Sequence, residues 1–367
     1  MEIGIIGLPQ SGKTSVFYAL TGGKATPALR PSASGQAPSV GVAKVNDPRL
    51  AVLEGIFKPT KVVFPDIRYT DLAPSSQEFG KGLVLGGQSL SVLSTVDALI
   101  HVVRVFDDAT VPLIEGTINP LRDISTMELE MEFSDMIIAD RRLQKIEDTL
   151  KGVRAHEKDL LLQEQELFRK IKSGLENEVP LIEMEFSAEE TKNLENYQFL
   201  TAKPLLVLLN IGENQVKGVS ELEERIYAEY RRQKYKIVSL CGKFEMELAQ
   251  LGEDEAEEFR SAMGLVENNV DKIVRLSYEL VDLISFFTIV SGEVKAWTIK
   301  RGTTALKAAG KIHSDMEQGF IRGEVVAYDD LVQCGSIPEA KKKGIVRLEG
   351  KNYVVQDGDI ITFLFNV

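Results

Sequence analysis

The chain has 367 residues, 44% of them hydrophobic, two cysteines and a formal net charge of −12, enough for two or three domains with substantial cores. Cys241 and Cys334 lie far apart without metal-ligand spacing, which excludes a disulfide framework, and no apolar stretch reaches the ~18 residues of a membrane helix. Met1 opens a strand-like segment within two residues, too early for a signal peptide, so a cytoplasmic location is expected.

The first strand, predicted over Glu2–Ile6, runs directly into Gly7-Leu8-Pro9-Gln10-Ser11-Gly12-Lys13-Thr14, a complete GxxxxGK[ST] sequence. Gly7 and Gly12 let the backbone curl so that successive N–H groups point at phosphate oxygens. Lys13 supplies a point charge and Thr14 a hydroxyl for Mg²⁺. A helix predicted over Lys13–Leu20 directs its N-terminal dipole at the same anion. The candidate nucleotide contacts here are Gly7, Pro9, Gln10, Ser11, Gly12, Lys13, Thr14 and Ser15.

Further strands are predicted at residues 41–45, 62–71 and 98–106. Between the first two strands, residues 26–39 are rich in Pro, Ser, Ala and Gly and read as a mobile loop, a candidate switch beside a phosphate site. From Ser125 onward apolar residues recur at helical spacing: Met127, Met131 and Ile138, then Leu143, Ile146 and Leu150. After Lys151-Gly152, residues 157–175 carry Leu160, Leu161, Leu167, Phe168 and Ile171 among charges, the composition of an antiparallel helical hairpin. A short helix after the cap Ser187 leads to a strand at 204–210, so residues 126–199 form an insertion. The aliphatic run at 205–209 has the character of a parallel strand buried on both faces, and Lys236–Leu240 is the next strand after a connecting helix. An α/β sheet therefore covers residues 1–125 and 200–280. Residues 284–367 read as a small α+β domain, with a strand at 287–299 and a helix at 303–313. The excess acid all lies between residues 126 and 280. The basic cluster Lys341-Lys342-Lys343 with Arg347 and Lys351 is a solvated loop or a phosphate contact.

Other candidate site residues stand at strand ends, in the order expected of a GTPase-like domain. Asp71, in Tyr69-Thr70-Asp71-Leu72-Ala73-Pro74, is placed to hold Mg²⁺ through water, with Thr14 as the second metal residue. Asn210-Ile211-Gly212-Glu213 follows the buried strand where such domains read the base, and Cys241-Gly242-Lys243 offers backbone donors after the next one. Asn210, Ile211, Glu213, Cys241 and Gly242 join the candidate nucleotide contacts. His101, His156 and His313 have no recognisable catalytic partner and read as structural; Trp297 and Phe286-Phe287 read as core.

With these motifs in order, the chain resembles the Obg-like ATPases, the YchF-type branch of the translation-factor GTPases. The likeness extends through Asp47-Pro48-Arg49-Leu50, His101-Val102-Val103-Arg104, Lys295-Ala296-Trp297-Thr298-Ile299, Gly319-Phe320-Ile321-Arg322 and the closing Phe363-Leu364-Phe365-Asn366-Val367. The resemblance implies a P-loop GTPase-like sheet with an inserted helical hairpin and a C-terminal α+β domain of β-grasp (TGS) type. It also implies ribosome association and preference for ATP over GTP.

The base preference has a physical reading. A guanine-reading NKxD motif uses its Asp to accept from guanine N1–H and the 2-amino group. Here the motif is NIGE: Ile211 replaces the lysine, Gly212 adds slack, Glu213 is one methylene longer, and Asn210 can address adenine through its amide. Several features depart from the family. Gln10 and Ser11 stand where it has Asn and Val, which leaves K⁺ stimulation open. Pro74 replaces a glycine whose N–H meets the γ-phosphate, and proline has no N–H to donate. The switch threonine falls near Gly35, with Ser32, Ser34 and Ser39 as substitutes. No catalytic base is identified, and slow hydrolysis is expected. The reading is a Mg²⁺-dependent ATP-binding protein acting on ribosomes, without membrane or sequence-specific DNA binding. Its alternatives are a hydrolysis-impaired nucleotide-binding scaffold and a GTP-specific GTPase.

Overall fold

The computed structural model describes residues 1–23, 25–27, 38–72, 85, 87–113, 116–152, 155–230, 235–263 and 268–366. Its strands are β1 Glu2–Ile6, β2 Ala25–Pro27, β3 Ser39–Lys44, β4 Lys61–Val63, β5 Asp66–Asp71, β6 Ala98–Arg104, β7 Leu205–Asn210, β8 Lys236–Leu240, β9 Leu283–Val290, β10 Glu293–Lys300, β11 Phe320–Ala327, β12 Arg347–Glu349 and β13 Asp359–Phe365. The chain forms two compact units, Met1–Val42 with Arg68–Val270 and Ala43–Ile67 with Asp271–Val367.

The first unit is built on a sheet of order β2-β3-β5-β1-β6-β7-β8. Its central strands β5, β1, β6, β7 and β8 run parallel, so their C-terminal ends share one edge, where α/β sheets bind ligands. β6 and β7 are buried along their whole length, which is why both read as continuous apolar runs rather than alternating ones. Leu99, Val103, Leu205, Val207 and Leu209 enter one core with Ile124, Met127 and Met131 of the long helix Pro120–Leu150.

That helix starts five residues before the expected Ser125. Asn119 caps it by accepting from the Arg122 N–H, and Pro120 occupies the first turn, a start signal that the apolar spacing alone does not register. With helix Ala155–Glu176 it encloses Ala139, Leu167, Phe168, Ile171 and Phe199. The short helix Ala188–Leu194 has a full capping box from Ser187 and Glu190. Asp135, 0% exposed, accepts from the N–H groups of Leu200 and Thr201 at 2.9 and 2.8 Å and from the Thr201 hydroxyl at 2.7 Å. It thereby ties the long helix to the returning chain. Burial pushes its carboxyl up to about 6 against these three bonds.

The second unit has a sheet of order β12-β11-β13-β9-β10-β4. Helix Ala305–Ile312 packs on one face around Phe286, Val325 and Ile361, and helix Pro48–Phe57 on the other around Phe287, Val326 and Ile360, a β-grasp arrangement. Asp47 caps helix Pro48–Phe57. Arg49 is held between Asp47 and Asp357 at 2.8 and 2.9 Å, with its guanidinium 5.1 Å from the Phe287 ring centre.

Two expected strands are each divided. Residues 62–71 form β4 and β5, in different sheets, because Phe64-Pro65 interrupts the ladder and proline cannot donate to it. Residues 287–299 form the hairpin β9–β10, turned by Ser291 and Gly292 at φ 51° and 79°, the left-handed pair that a two-residue hairpin demands. Trp297 packs against the core, and Phe286 and Phe287 are fully buried. Of the expected loop at 26–39, the described residues include Thr26 and Pro27 on β2 and Ser39 on β3, whereas Ser32, Ser34 and Gly35 lie outside the described residues.

Candidate functional site

The phosphate loop leaves β1 at Ile6 and takes backbone angles open to few side chains: φ is 149° at Gly7, 61° at Gln10 and 86° at Gly12. A Cβ on Gly7 would stand 2.4 Å from the Val102 carbonyl oxygen, and one on Gly12 2.1 Å from Asn210 Nδ2. Both glycines are thus required by space as well as by angle. Gly12 begins helix Lys13–Leu20 without any side-chain cap, the arrangement of an anion-binding helix start. Pro9 and Ser15 are half-buried, Gln10 and Thr14 exposed, and Ser11 buried with its hydroxyl lacking a partner among the described residues.

Lys13 is 8% exposed and its Nζ donates to the carbonyls of Gly7 and Leu8 at 2.8 and 2.9 Å. Burial lowers its pKa to about 8, partly opposed by the charge of Asp71. Above pH 8 a bound phosphate must therefore restore a proton to Lys13 before the pair can form. Affinity for Mg²⁺-nucleotide is expected to be flat from pH 7 to 8 and to weaken by about tenfold per pH unit above that. Titration calorimetry from pH 7 to 9.5 tests this, and constant affinity across the range overturns it.

Thr14 Oγ1 donates to Asp71 Oδ2 at 3.0 Å, which brings the end of β5 against the first turn of the helix. Asp71 is 5% exposed and its Oδ1 has no hydrogen-bond partner among the described residues. Burial raises its pKa, while Thr14 and Lys13 hold it down. A hydroxyl, a carboxylate and an unused buried carboxylate oxygen are the hard oxygen donors that Mg²⁺ takes, directly or through water. These residues fit that ion.

Asn210 closes the loop from the other side. Its Nδ2 donates to the Ser11 carbonyl at 2.9 Å and its Oδ1 accepts from the Gly242 N–H at 3.0 Å. The structure thus joins three candidate segments through one amide that is 3% exposed. These two bonds use one Nδ2 hydrogen and one lone pair of Oδ1 and leave one of each. Ile211 and Cys241 lie in the apolar core at 4% exposure each. Glu213 is exposed at the start of the short 3-10 helix Glu213–Gly218.

Sequence reasoning missed Phe106 as a site residue. Its ring lies 3.6 Å from where a Gly12 Cβ would stand, and its Cβ 3.7 Å from that position on Gly212. Arg104 holds it there. The guanidinium sits 4.6 Å from the ring centre and donates to the carbonyls of Pro112 and Val111 at 2.9 and 3.0 Å. An aromatic immediately beyond a buried strand, at the C-terminal edge of the parallel sheet, is the signal that would have pointed to it. His101 on β6 is fully buried and pushed down to about 3, by burial and then by Lys13, so it is neutral. His313 caps the Asp315 N–H, and the side chain of His156 lies outside the described residues. Pro74 does as well.

The basic cluster near the C-terminus is partly neutralised. Lys341 pairs with Glu324 at 2.8 Å, Lys342 with Glu339 at 2.6 Å and Arg347 with Glu349 at 3.3 Å. Lys341 and Lys342 stand in the last turn of the helix Ile337–Lys342 and Arg347 on β12, so the cluster is not the loop expected, and its pairing favours solvated charges over a dedicated phosphate contact. No helix among the described residues is long and apolar enough to cross a membrane.

A family model for the YchF-GTPase C-terminal region, described as a "Protein of unknown function (DUF933)", matches residues 283–366. The chain is 38% identical over the full length of both proteins to a Bacillus subtilis protein named "Ribosome-binding ATPase YchF". It is 36% identical to "Obg-like ATPase 1" of Caenorhabditis elegans, over 100% of this chain and 92% of that one. The solved Schizosaccharomyces pombe YchF GTPase superposes with a TM-score of 0.85 at 28% identity, covering 99% of this chain and 97% of the other.

Proposed function

Because the chain belongs to the Obg-like, YchF-type family of ATPases, we propose that it binds ATP with Mg²⁺ at the phosphate loop, hydrolyses it slowly and associates with ribosomes. The observation that carries the nucleotide reading is the convergence of Lys13, Thr14 and Asp71 on one anion-facing helix start, with Asn210 locking the loop behind it. Lys13 would neutralise the β- and γ-phosphates, Thr14 and Asp71 would hold Mg²⁺, and the end of β7 at Asn210 and the helix start at Gly242 would flank the base beside Phe106. When bound, Mg²⁺ would offset charge on the phosphate oxygens. In our reading the unit of Met1–Val42 with Arg68–Val270 supplies this site, 126–199 is an inserted helical domain within it and 284–367 a TGS-like domain; Ala43–Ile67 and 271–280, expected in the nucleotide domain, belong to the C-terminal unit. The ribosomal partner rests on the names of the relatives, and a cytoplasmic location accompanies it.

ATP is favoured over GTP because the NIGE segment lacks the short, fixed carboxylate of a guanine-reading motif, and Glu213 sits exposed at the turn of a 3-10 helix. A pocket without the acceptors for guanine N1–H and its 2-amino group loses its preference for that base. Titrating ATP and GTP in parallel tests this. Tighter GTP binding rejects it and favours a GTP-specific enzyme.

The scaffold reading draws on Pro74, which has no N–H to offer a γ-phosphate. A single-turnover assay with Mg²⁺, with and without ribosomes, separates the two. Turnover supports the ATPase, while its absence under both conditions with equal ATP and ADP affinities supports the scaffold. Repeating the assay in K⁺ and in Na⁺ decides whether Gln10 sustains potassium stimulation.

A further inference from the structure

We propose that Gln215 is a positioning residue for the base end of the site and that it biases the site toward adenine by withholding a backbone donor from guanine. The proposal rests on the nucleotide-site reading above. Gln215 is half-buried on the 3-10 helix Glu213–Gly218. Its Oε1 accepts from the Gly212 N–H at 2.7 Å, its Nε2 donates to the Val105 carbonyl at 3.2 Å, and its own N–H donates to the Gly212 carbonyl at 3.0 Å. Both polar backbone groups of Gly212 are therefore engaged by one residue.

The consequence reaches the phosphate loop through short contacts. Val105 and Phe106 both donate their N–H groups to the Asn210 carbonyl at 2.8 and 3.0 Å. The Phe106 ring then lies against Gly12. Gln215 thus ties the base loop to the end of β6, the strand end from which that ring is presented. The slack expected of Gly212 is removed by this side chain rather than by the glycine's own sterics, which impose almost none.

The chemistry gives the tie a direction. Guanine presents O6, an acceptor, where adenine presents a 6-amino donor. A Gly212 N–H released from Gln215 is a donor that suits O6 and repels the amino group. With the amide in place that N–H is satisfied internally. The loop is also preorganised, so less ordering cost falls on nucleotide binding.

The test uses the full chain with Gln215→Ala and Gln215→Glu, measuring affinities for ATP, GTP and tripolyphosphate, which has no base. In the alanine variant the ATP-to-GTP affinity ratio is expected to fall by about fivefold or more, the effect of one hydrogen bond, with tripolyphosphate binding unchanged. Glutamate still accepts from the Gly212 N–H but cannot donate to Val105, and is expected to restore most of the ratio. Should the alanine variant not fold, Gln215→Met fills similar volume without either bond and carries the same expectation. An unchanged ratio, or equal losses for all three ligands, overturns the proposal. Wild-type protein that binds none of the three overturns the nucleotide reading itself, an outcome distinct from normal binding with an unmoved ratio.

Discussion

Replacing Lys13 with methionine is expected to abolish nucleotide binding while leaving the stability of the nucleotide-free protein almost unchanged. Lys13 is held at about 8 against an ordinary value of 10.5, with burial as the main cause. Between those two values the unfolded chain binds a proton that the folded chain does not, so stability rises with pH through that window. Below pH 8 the full cost of burying the charge is present, about 3 kcal/mol at 1.36 kcal/mol per pKa unit. Methionine keeps the length and removes the charge, but forfeits two bonds from a charged donor to the carbonyls of Gly7 and Leu8, worth about 1.5 kcal/mol each or more. The two effects nearly cancel, and a stability within about 1 kcal/mol of wild type is expected, read from urea denaturation of both proteins without nucleotide at pH 7. A variant that binds ATP normally, or one that is clearly less stable, contradicts this account. The cost belongs to function: a cation is kept in an apolar setting so that an arriving phosphate meets it with little water to displace.

Asn210→Ala carries the largest expected loss outside the loop itself. Removing the amide strands the Gly242 N–H and the Ser11 carbonyl, the groups it joins at 3.0 and 2.9 Å. Two buried groups left without partners cost about 2 to 4 kcal/mol of stability together. Affinity is expected to fall more than tenfold, because the residue preceding Gly12 is no longer anchored and small misplacements at such sites are costly. Asn210→Asp separates the two halves of the clamp. It can still accept from Gly242 but sets a carboxylate against the Ser11 carbonyl, and burial raises its pKa. When protonated it regains a donor for Ser11, so ATP affinity in this variant should improve as pH falls, unlike in wild type over the same range. Equal pH profiles for the two proteins, measured by ATP titration from pH 8 to 5, would rule out the clamp.

The candidate site was legible to different depths. The phosphate loop is local: eight adjacent residues carry both the backbone freedom and the charge, and neither depends on distant parts of the chain. Asp71 and Asn210 were legible from their positions at the ends of strands, since parallel strands bring those ends to one edge. What Asn210 does there was not. An amide has donors and an acceptor, and the sequence cannot say whether they address a base or the backbone of Ser11 and Gly242. Ile211 and Cys241 stand at candidate positions in the order of motifs, yet their side chains turn into the core. Alternation along β7, continued past Asn210, puts Ile211 on the same buried face as Leu205, Val207 and Leu209.

Apolar spacing placed the long helices and the core strands, because burial on one face imposes a period that can be read from the chain, but not the helices Pro48–Phe57 and Asn269–Leu280 or the strand β11. It did not separate β4 from β5, nor β9 from β10, since a run of apolar residues does not reveal which sheet each part joins. By itself the sequence determined the phosphate loop, the parallel nucleotide-binding sheet, the helical insertion and the order of the site segments, all set by local chemistry or by periodic burial. Only the tertiary structure decided that Ala43–Ile67 packs with the C-terminal unit, that Arg104 presents Phe106, and that Gln215 engages Gly212. These depend on pairings between residues far apart in the chain or on the choice among several partners for one polar group, and no local pattern encodes either.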